Sequence, residues 1–275
     1  MVLNKKSRWL AALVQMDTGA NLEMNLLHAG EAIAIAAKKG ADLVCFPERM
    51  NMQSVGNAAE QMADIAAKRT LELFREKAKE YGIFLHCGSV YEKIQGEERC
   101  SNTSVLLGPD GTVLSKYSKL HMFDVNLEDG TSCKESQKVK AGEDVVVVDT
   151  ALGKLGFAIC YDIRFPEMFR KMIDREAQVI IVPASFTSVT GKHHWEPLLR
   201  ARAIENQVYI LATNQTGKKP EFEAYGHSMV VDPWGSVLTE AGVGETILYA
   251  EIDLDKEDGI RQQIPCIPNR RKDIY

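Results

Sequence analysis

Cys160 is the residue of this sequence whose setting most suggests chemistry. The apolar run 155–159 ends on it, and Pro166 and Glu167 mark the start of a helix a few residues later. Proline suits the first turn of a helix because its missing N–H would have no partner there. Free backbone N–H groups at such a corner lower the pKa of a thiol and stabilise an oxyanion. Cys160 is therefore a candidate nucleophile, although a buried structural cysteine fits the same pattern.

Two charged residues also follow predicted strands. Glu48 comes after the apolar segment 41–46, where burial should raise the pKa of its carboxyl, as a general base requires. Lys119 lies where a strand gives way to a loop, and a fixed positive charge there can stabilise an oxyanion. The alternative is that both are surface residues, with Glu48 paired to Arg49.

Other polar residues of the sequence give weaker indications. The segment 123–143 is polar and lacks periodicity, so we interpret it as a long, functional loop, and Glu135 lies within it. His121 fits a structural role better than a catalytic one. No glycine-rich phosphate-binding motif and no GxSxG motif is present, which argues against a nucleotide-binding enzyme and a serine hydrolase.

Composition limits the class of protein. The 275 residues carry a net charge of −5, which argues against a nucleic-acid partner. No apolar run approaches the length of a membrane span, and the N-terminus lacks the apolar core of a signal peptide. The six cysteines are scattered without metal-ligand spacing, which favours reduced thiols and a cytoplasmic protein.

The order of predicted elements indicates an α/β fold. Strands and helices alternate in both halves of the chain, and each half ends in a glycine-containing hairpin, at 108–111 and 233–235. Two mixed sheets packed face to face, with helices outside both, are the simplest arrangement. No linker divides the chain, so we expect residues 1–275 to form a single domain, with 255–275 as a C-terminal tail that begins in a short helix.

Three separated segments resemble one known family. Phe46-Pro-Glu48, Tyr117-Ser-Lys-Leu-His121 and Ala158-Ile-Cys-Tyr-Asp-Ile-Arg-Phe-Pro-Glu167 are similar to the signature regions of the nitrilase superfamily of carbon–nitrogen hydrolases. The resemblance extends over nearly the whole chain. It implies a four-layer αββα sandwich, a homodimer or higher homo-oligomer, and no metal or organic cofactor.

The resemblance also implies roles for individual residues. Glu48, Lys119 and Cys160 correspond to the catalytic triad of the family, and Glu135 to a second glutamate that orients the lysine. On this basis the thiolate of Cys160 attacks a carbonyl carbon, and a thioester forms and is hydrolysed. We expect the backbone N–H of Tyr161 to assist Lys119 in holding the oxyanion.

Substrate-binding residues are expected on both sides of the nucleophile. An arginine at the position of Arg164 binds a substrate carboxylate in related enzymes, a role that suits a guanidinium; an ion pair with Glu167 or Asp162 is the alternative. We also expect Tyr161 to contribute to substrate binding. Two further candidates, in the segment 185–191, are Ser185 and Phe186.

Segments 185–191, 194–205 and 225–235 look like the Nit branch, which includes deaminated glutathione amidase and omega-amidase. This resemblance implies an amidase that acts on a small acid amide with a 2-oxoglutaryl acyl group. Segments 185–191 and 228–235 are closer to deaminated glutathione amidase, whereas segment 261–265 is closer to omega-amidase. The resemblance therefore does not identify the leaving amine. The alternatives are an N-carbamoyl amide hydrolase or nitrilase of the same superfamily, and a non-catalytic interaction protein on this fold.

Overall fold

The computed structural model describes residues 5–54, 56–126 and 132–274. The strands are β1 (Arg8–Gln15), β2 (Leu43–Cys45), β3 (Phe84–His86), β4 (Val90–Lys93), β5 (Cys100–Leu107), β6 (Val113–Ser118), β7 (Asp124–Asn126), β8 (Ser132–Lys134), β9 (Val147–Thr150), β10 (Gly153–Phe157), β11 (Val179–Ala184), β12 (Tyr209–Asn214), β13 (Thr216–Lys218), β14 (Glu223–Tyr225), β15 (Met229–Val231), β16 (Val237–Glu240) and β17 (Thr246–Asp253). The helices are α1 (Leu22–Lys38), α2 (Ala58–Gln61), α3 (Ala63–Tyr81), α4 (Pro166–Asp174), α5 (Ser188–Asn206) and α6 (Leu254–Gln263), with short 3-10 helices at Glu135–Gln137 and Cys160–Arg164.

Two large mixed sheets form the centre of the molecule. The seven-stranded sheet has the order β17-β1-β2-β3-β5-β4. Strands β3 and β4 pair with different parts of one edge of β5, and β6 pairs with its opposite edge. The six-stranded sheet has the order β16-β15-β12-β11-β10-β9. Strands β1 to β3 are parallel in the first sheet, and β10 to β12 are parallel in the second. The segments after β2, β6, β10 and β11 carry all of the candidate site residues except Glu135, which follows β8.

Successive side chains along each strand point to opposite faces of its sheet, so each sheet packs against the other sheet on one face and against helices on the other, which gives four layers. On β1, Ala11 and Leu13 point into a core shared with the second sheet, whereas Ala12 and Val14 pack with residues of α1 and α3. The far face of the second sheet packs against apolar residues of α4 and α5, including Trp195. The predicted αββα sandwich is confirmed.

The helix ends follow the sequence signals. The side chain of Asn21 accepts a hydrogen bond from Met24 N at 3.2 Å and caps α1, and Gly82 ends α3 in the left-handed conformation with φ of 64°. None of the helices in the three described ranges is both long and apolar enough to cross a membrane. Most predicted strands have at least one end within two residues of the corresponding end of the observed strand.

Several elements differ from the sequence-based prediction. The helix predicted at 58–81 is divided at Met62 into α2 and α3, and α5 begins at Ser188, before the predicted start at His194. Strand β4 and the β13–β14 hairpin are absent from the prediction because they are short and mixed in polarity. The segment 123–143, predicted as a loop, contains β7, β8 and a 3-10 helix; its residues 127–131 lie outside the described ranges.

Two helical glycines offer a matched test of this packing. A Cβ at Gly191 on α5 would lie 2.3 Å from Cγ of Tyr225 on β14, whereas a Cβ at Gly30 on α1 has its nearest neighbour, Leu73 Cδ1, at 3.8 Å. We expect Gly191→Ala to lower the free energy of unfolding by about 1–3 kcal/mol through overpacking. Gly30→Ala should raise it by about 0.5–1 kcal/mol through helix propensity. Urea denaturation measures both, and stabilisation by both substitutions would contradict the packing of α5 on β14.

Candidate active site

Cys160 lies on a strained turn between β10 and α4. It is the first residue of the 3-10 helix Cys160–Arg164, and its φ of 48° is in the left-handed region. That conformation costs a non-glycine residue roughly 1 kcal/mol or more, so surrounding contacts must hold it. The side chain is 8% exposed and lines a cavity. The strand predicted to end on this cysteine ends earlier, at Phe157, and Cys160 instead begins the 3-10 helix that connects β10 to α4.

The carboxylate of Asp162 holds this turn in place. It is fully buried and accepts hydrogen bonds from Ile159 N at 2.8 Å and from the hydroxyl of Tyr117 at 2.6 Å. Its other oxygen accepts from His121 N at 3.1 Å. Tyr117 and His121 lie on either side of Lys119 in the chain. One buried carboxylate therefore joins the lysine segment to the turn that carries the cysteine.

Lys119 is buried between two carboxylates. It is 2% exposed, and its Nζ lies 3.1 Å from Glu48 Oε1 and 3.0 and 2.8 Å from the two carboxylate oxygens of Glu135. Glu135 is held in turn by Phe123 N, which donates to its Oε2 at 2.7 Å. Burial disfavours the charged amine, but Glu135 and Glu48 outweigh it and raise the pKa of Lys119 well above its ordinary value. The lysine is thus a permanent cation.

Two further donors orient the carboxylate of Glu48. The side-chain amide of Asn102 donates to its Oε1 at 2.8 Å, and the backbone N–H of Ser185 donates to its Oε2 at 2.9 Å. Asn102 lies on β5, and Ser185 directly follows β11. Glu48, which is 4% exposed, therefore receives hydrogen bonds from both sheets. Its position is fixed relative to the cysteine turn.

The pKa of Glu48 shifts opposite to the sequence-based expectation. Burial alone would raise it, but the charge and hydrogen bond of Lys119, together with the hydrogen bonds from Cys160 and Asn102, outweigh burial and lower it below the ordinary value. The expectation of a raised pKa was wrong because the sequence does not show the buried cation beside this carboxyl. Glu48 is an ionised base at neutral pH.

The pKa of the Cys160 thiol also shifts in the direction opposite to the sequence-based expectation. Burial and the negative charge of Glu48 raise its pKa well above the ordinary value, and they outweigh Lys119 and the backbone N–H of Ser185, which lower it. The expected lowering by helix-start N–H groups was wrong because burial dominates. At rest the pair is a protonated thiol beside a carboxylate, and a base must take the thiol proton before attack.

Donors for an oxyanion lie next to the nucleophile. The backbone N–H of Tyr161 donates no hydrogen bond to any part of the chain that the structure describes. It follows Cys160 directly in the chain, and Lys119 lies on the same cavity wall. An N–H and an ammonium placed in this way can stabilise negative charge on a carbonyl oxygen.

The site opens into one cavity of about 500 Å³. Its wall contains Glu48, Lys119, Glu135 and Cys160, together with the predicted substrate-binding residues Tyr161, Ser185 and Phe186. The rest of the wall is formed by Arg49, Gln53, Ser54, Gly56, Glu60, Tyr91, Phe123, Ser132, Cys133, Lys134, Gln137, Lys138, Thr187, Thr190, Glu221 and Phe222. The volume and the mixed lining suit a small polar molecule.

Arg164 does not line the cavity and lies behind two residues that do. Its guanidinium carbon is 5.2 Å from the ring centroid of Phe186 and 5.7 Å from that of Tyr161. Its Nη1 is 3.2 Å from Nδ1 of His194. Within the described ranges it forms no ion pair with Glu167 or Asp162, which was the alternative from sequence. Its binding of a substrate carboxylate stays a prediction.

Sequence reasoning missed several residues that shape the site. Asn102 was interpreted only as part of a strand, although a polar side chain in the wholly buried β5 is a usable signal. Asp162 was noticed only as a possible partner of Arg164. Arg49 was treated only as a partner for Glu48, and the cavity residues Tyr91 and Glu221 gave no local signal because their segments were not predicted as strands or hairpins.

The chain belongs to the carbon–nitrogen hydrolase family. The family model described as Carbon-nitrogen hydrolase matches residues 10–262, which include all of the candidate catalytic residues. The chain is therefore an enzyme that hydrolyses carbon–nitrogen bonds, as the sequence motifs predicted. The family, the fold and this class of reaction are confirmed.

Relatives of two activities are similar to the chain over almost their full length. It is 40% identical to deaminated glutathione amidase of Synechocystis over 268 residues, which cover 95% of this chain and 98% of the relative. It is 39% identical to omega-amidase NIT2 of Mus musculus over 270 residues, which cover 98% and 97% of the two chains. The identities are too close to distinguish the two activities.

Solved structures support the same assignment. NitFhit of C. elegans has a TM-score of 0.94 at 38% identity, covering 98% of this chain and 67% of that chain. Nit3 of Saccharomyces cerevisiae has a TM-score of 0.84 at 33% identity, covering 96% and 97%. A mutant amidase from Nesterenkonia has a TM-score of 0.81 at 26% identity, covering 97% and 95%, and carries an acetamide moiety covalently added at its active site cysteine.

The pKa directions predict the pH dependence of the reaction. Because the pKa of Glu48 is lowered and that of Cys160 is raised, the reactive carboxylate–thiol pair persists through the neutral range. We expect kcat/KM to be flat between about pH 6 and 8 and to fall only as pH drops through the lowered pKa of Glu48. Asn102→Leu removes a hydrogen bond that lowers this pKa and should move the acid limb to higher pH. Initial rates, with circular dichroism to confirm folding, test this; an acid limb near neutrality in the parent enzyme would contradict it.

Asp162→Asn tests the link between the lysine segment and the cysteine turn. An asparagine places an NH₂ group against donors that now face a carboxylate oxygen, so the turn should shift and kcat/KM should fall on the order of 100-fold. Glu167→Gln, the same change at an exposed position on α4, should alter kcat/KM by less than about twofold. Rates are measured at a temperature well below the melting temperatures of both variants. A lower melting temperature with unchanged kcat would limit Asp162 to a structural role.

Proposed function

We propose that this enzyme is an amidase that hydrolyses the C–N bond of a small acid amide, with 2-oxoglutaryl as the acyl group. The observation that carries the proposal is the placement of Glu48, Lys119 and Cys160 on one wall of a single cavity. Similarity to deaminated glutathione amidase and omega-amidase supports the choice of amide. The two corresponding substrates, deaminated glutathione and 2-oxoglutaramate, share the acyl part and differ in the leaving amine.

The first half of the proposed mechanism forms a thioester. Glu48 takes the proton of the Cys160 thiol, and the sulfur attacks the amide carbon. The ammonium of Lys119 and the N–H of Tyr161 stabilise the resulting oxyanion. The protonated Glu48 then gives its proton to the amide nitrogen, the C–N bond breaks, and the amine leaves.

The charge on Glu48 couples proton transfer to stabilisation of the oxyanion. Before attack, Nζ of Lys119 faces oxygens of Glu48 and Glu135. When Glu48 accepts the thiol proton it becomes neutral, and its attraction for the ammonium weakens. An N–H of the lysine then becomes available to the carbonyl oxygen at the moment that oxygen gains negative charge.

The second half of the mechanism regenerates the enzyme. Glu48, again ionised after the amine has left, takes a proton from water, and the hydroxide attacks the thioester carbon. The C–S bond breaks, a carboxylic acid is released, and the proton on Glu48 returns to the sulfur of Cys160. The net reaction adds one water across the amide bond. None of these steps uses a metal or an organic cofactor.

We also propose that the whole chain acts as one domain, in the cytoplasm, as a homodimer or higher homo-oligomer. All six cysteines are free thiols, which supports a reducing compartment. Family membership supports self-association, and the exposed side chains of Trp234 and Ile204 offer apolar surface for it.

The proposed activity predicts release of 2-oxoglutarate that depends on Cys160. Deaminated glutathione and 2-oxoglutaramate are supplied in parallel, and 2-oxoglutarate is measured. Cys160→Ala should reduce release to background, whereas Cys266→Ala, a change at an exposed cysteine, should leave the rate within about twofold. Cys160→Ser should lose at least about 100-fold, since a hydroxyl is harder to deprotonate.

The two substrates also separate the competing functions. Faster release from deaminated glutathione indicates an amidase with room for a dipeptide leaving group, and faster release from 2-oxoglutaramate indicates an omega-amidase. Hydrolysis only of a nitrile or an N-carbamoyl amide would contradict the proposed acyl group. No turnover of any C–N bond, with the protein folded, would contradict the mechanism and favour an interaction protein.

A further inference from the structure

Arg49 is a cavity-lining cation without an ionic partner. It follows Glu48 directly and lines the same cavity. Within the described residues its guanidinium forms no salt bridge, and its Nε is buried without a hydrogen-bond acceptor. A buried N–H of a charged group without an acceptor is costly. Arg49 as a whole is partly exposed, and its side chain donates no hydrogen bond to a described residue, so a ligand in the cavity can supply an acceptor to the accessible part of the guanidinium.

The other cations of the cavity wall are already satisfied. Lys119 is held by Glu48 and Glu135. Lys138 donates to Gly56 O at 2.8 Å, and its Nζ is 3.4 Å from Glu60 Oε1. A fourth cation of the wall, Lys134, is exposed to solvent. Arg49 is therefore the cation of the described wall that is partly shielded from solvent and forms no ion pair, with a buried Nε that lacks an acceptor.

The surroundings of Arg49 fix its guanidinium at the wall. Its Cζ lies 4.6 Å from the ring centroid of Tyr91, which also lines the cavity. Stacking uses the flat face of a guanidinium and leaves the N–H edge for hydrogen bonds. The backbone has a φ of 53°, in the left-handed region, and its N–H donates to Ser89 Oγ at 3.1 Å. A side chain held in this way needs little reorganisation to bind a ligand.

We infer that Arg49 is a carboxylate-binding subsite of the cavity and selects amides that carry a carboxylate. A guanidinium edge matches a carboxylate with two parallel hydrogen bonds. The inference rests on the proposed function, because it requires an amide substrate. The carboxylate lies either on the acyl group, as in both proposed substrates, or on the leaving amine, as in deaminated glutathione. The chemistry at Arg49 is the same for both.

The test compares three amides. 2-Oxoglutaramate carries a carboxylate on the acyl side, N-butyrylglycine carries one on the leaving side, and butyramide carries none. The quantity measured is kcat/KM for each charged amide divided by kcat/KM for butyramide, because this ratio cancels any general effect on the triad. Arg49→Met should lower the ratio at least about tenfold for one or both charged amides. Lys138→Met removes a paired cation from the same wall and should change the ratio less than about threefold.

Each other outcome has a defined meaning. If Arg49→Met leaves the ratio unchanged, the subsite is overturned. It is also overturned if Arg164→Met lowers the ratio and Arg49→Met does not.

If the parent enzyme hydrolyses none of the three amides and does not hydrolyse deaminated glutathione, the proposed function fails, but the subsite is still testable. Calorimetry then compares 2-oxoglutarate binding to Cys160→Ala with and without Arg49→Met. Binding weakened at least about tenfold supports the subsite, and equal binding overturns it. Arg49→Gln replaces Arg49→Met in both experiments if the methionine variant is unfolded.

Discussion

The buried ammonium of Lys119 is the charge on which the chemistry of this site depends. Two carboxylates compensate the cost of burying it, and the cation in turn keeps Glu48 ionised in a place where burial would otherwise protonate it. Burial, together with the charge of the same carboxylate, raises the pKa of the Cys160 thiol and keeps it protonated. The four groups therefore form one electrostatic unit, in which the pKa directions of Glu48, Lys119 and Cys160 depend on their charged neighbours and on burial.

The fold brings this unit together from separate parts of the chain. Glu48 and Lys119 follow strands of one sheet, and Cys160 and Ser185 follow strands of the other. Contacts across the sheets then fix the geometry: the N–H of Ser185 binds Glu48, and Asp162 binds the residues on both sides of Lys119. The shared apolar core between the sheets keeps these strand ends in register. The sandwich is thus the support that makes short, fixed hydrogen bonds between distant segments possible.

Much of the fold and the reacting groups could be predicted from sequence, because strand ends and family motifs are local signals. Cys160 and Glu48 were located in this way. The pKa directions were not. That of Glu48 depends on Lys119, which lies 71 residues away in the chain, and that of Cys160 depends on burial and on Glu48, which become apparent only in the folded chain. Arg49 was not recognised as a cavity residue either, since its stacking on Tyr91 and its lack of an acceptor arise only in the folded chain. Strand β4, which carries Tyr91, was too short and mixed in polarity to predict.

The protonation state of Cys160 at rest is the most direct test of this account. A thiolate absorbs in the ultraviolet, at wavelengths below the aromatic bands, where a thiol absorbs far less, so the absorbance of the parent protein minus that of Cys160→Ala reports this one group as pH is raised. The account predicts no thiolate absorbance from Cys160 at neutral pH, in an enzyme that is fully active there. A thiolate signal at neutral pH that is lost in Cys160→Ala would contradict it, because Glu48 would then have no thiol proton to remove.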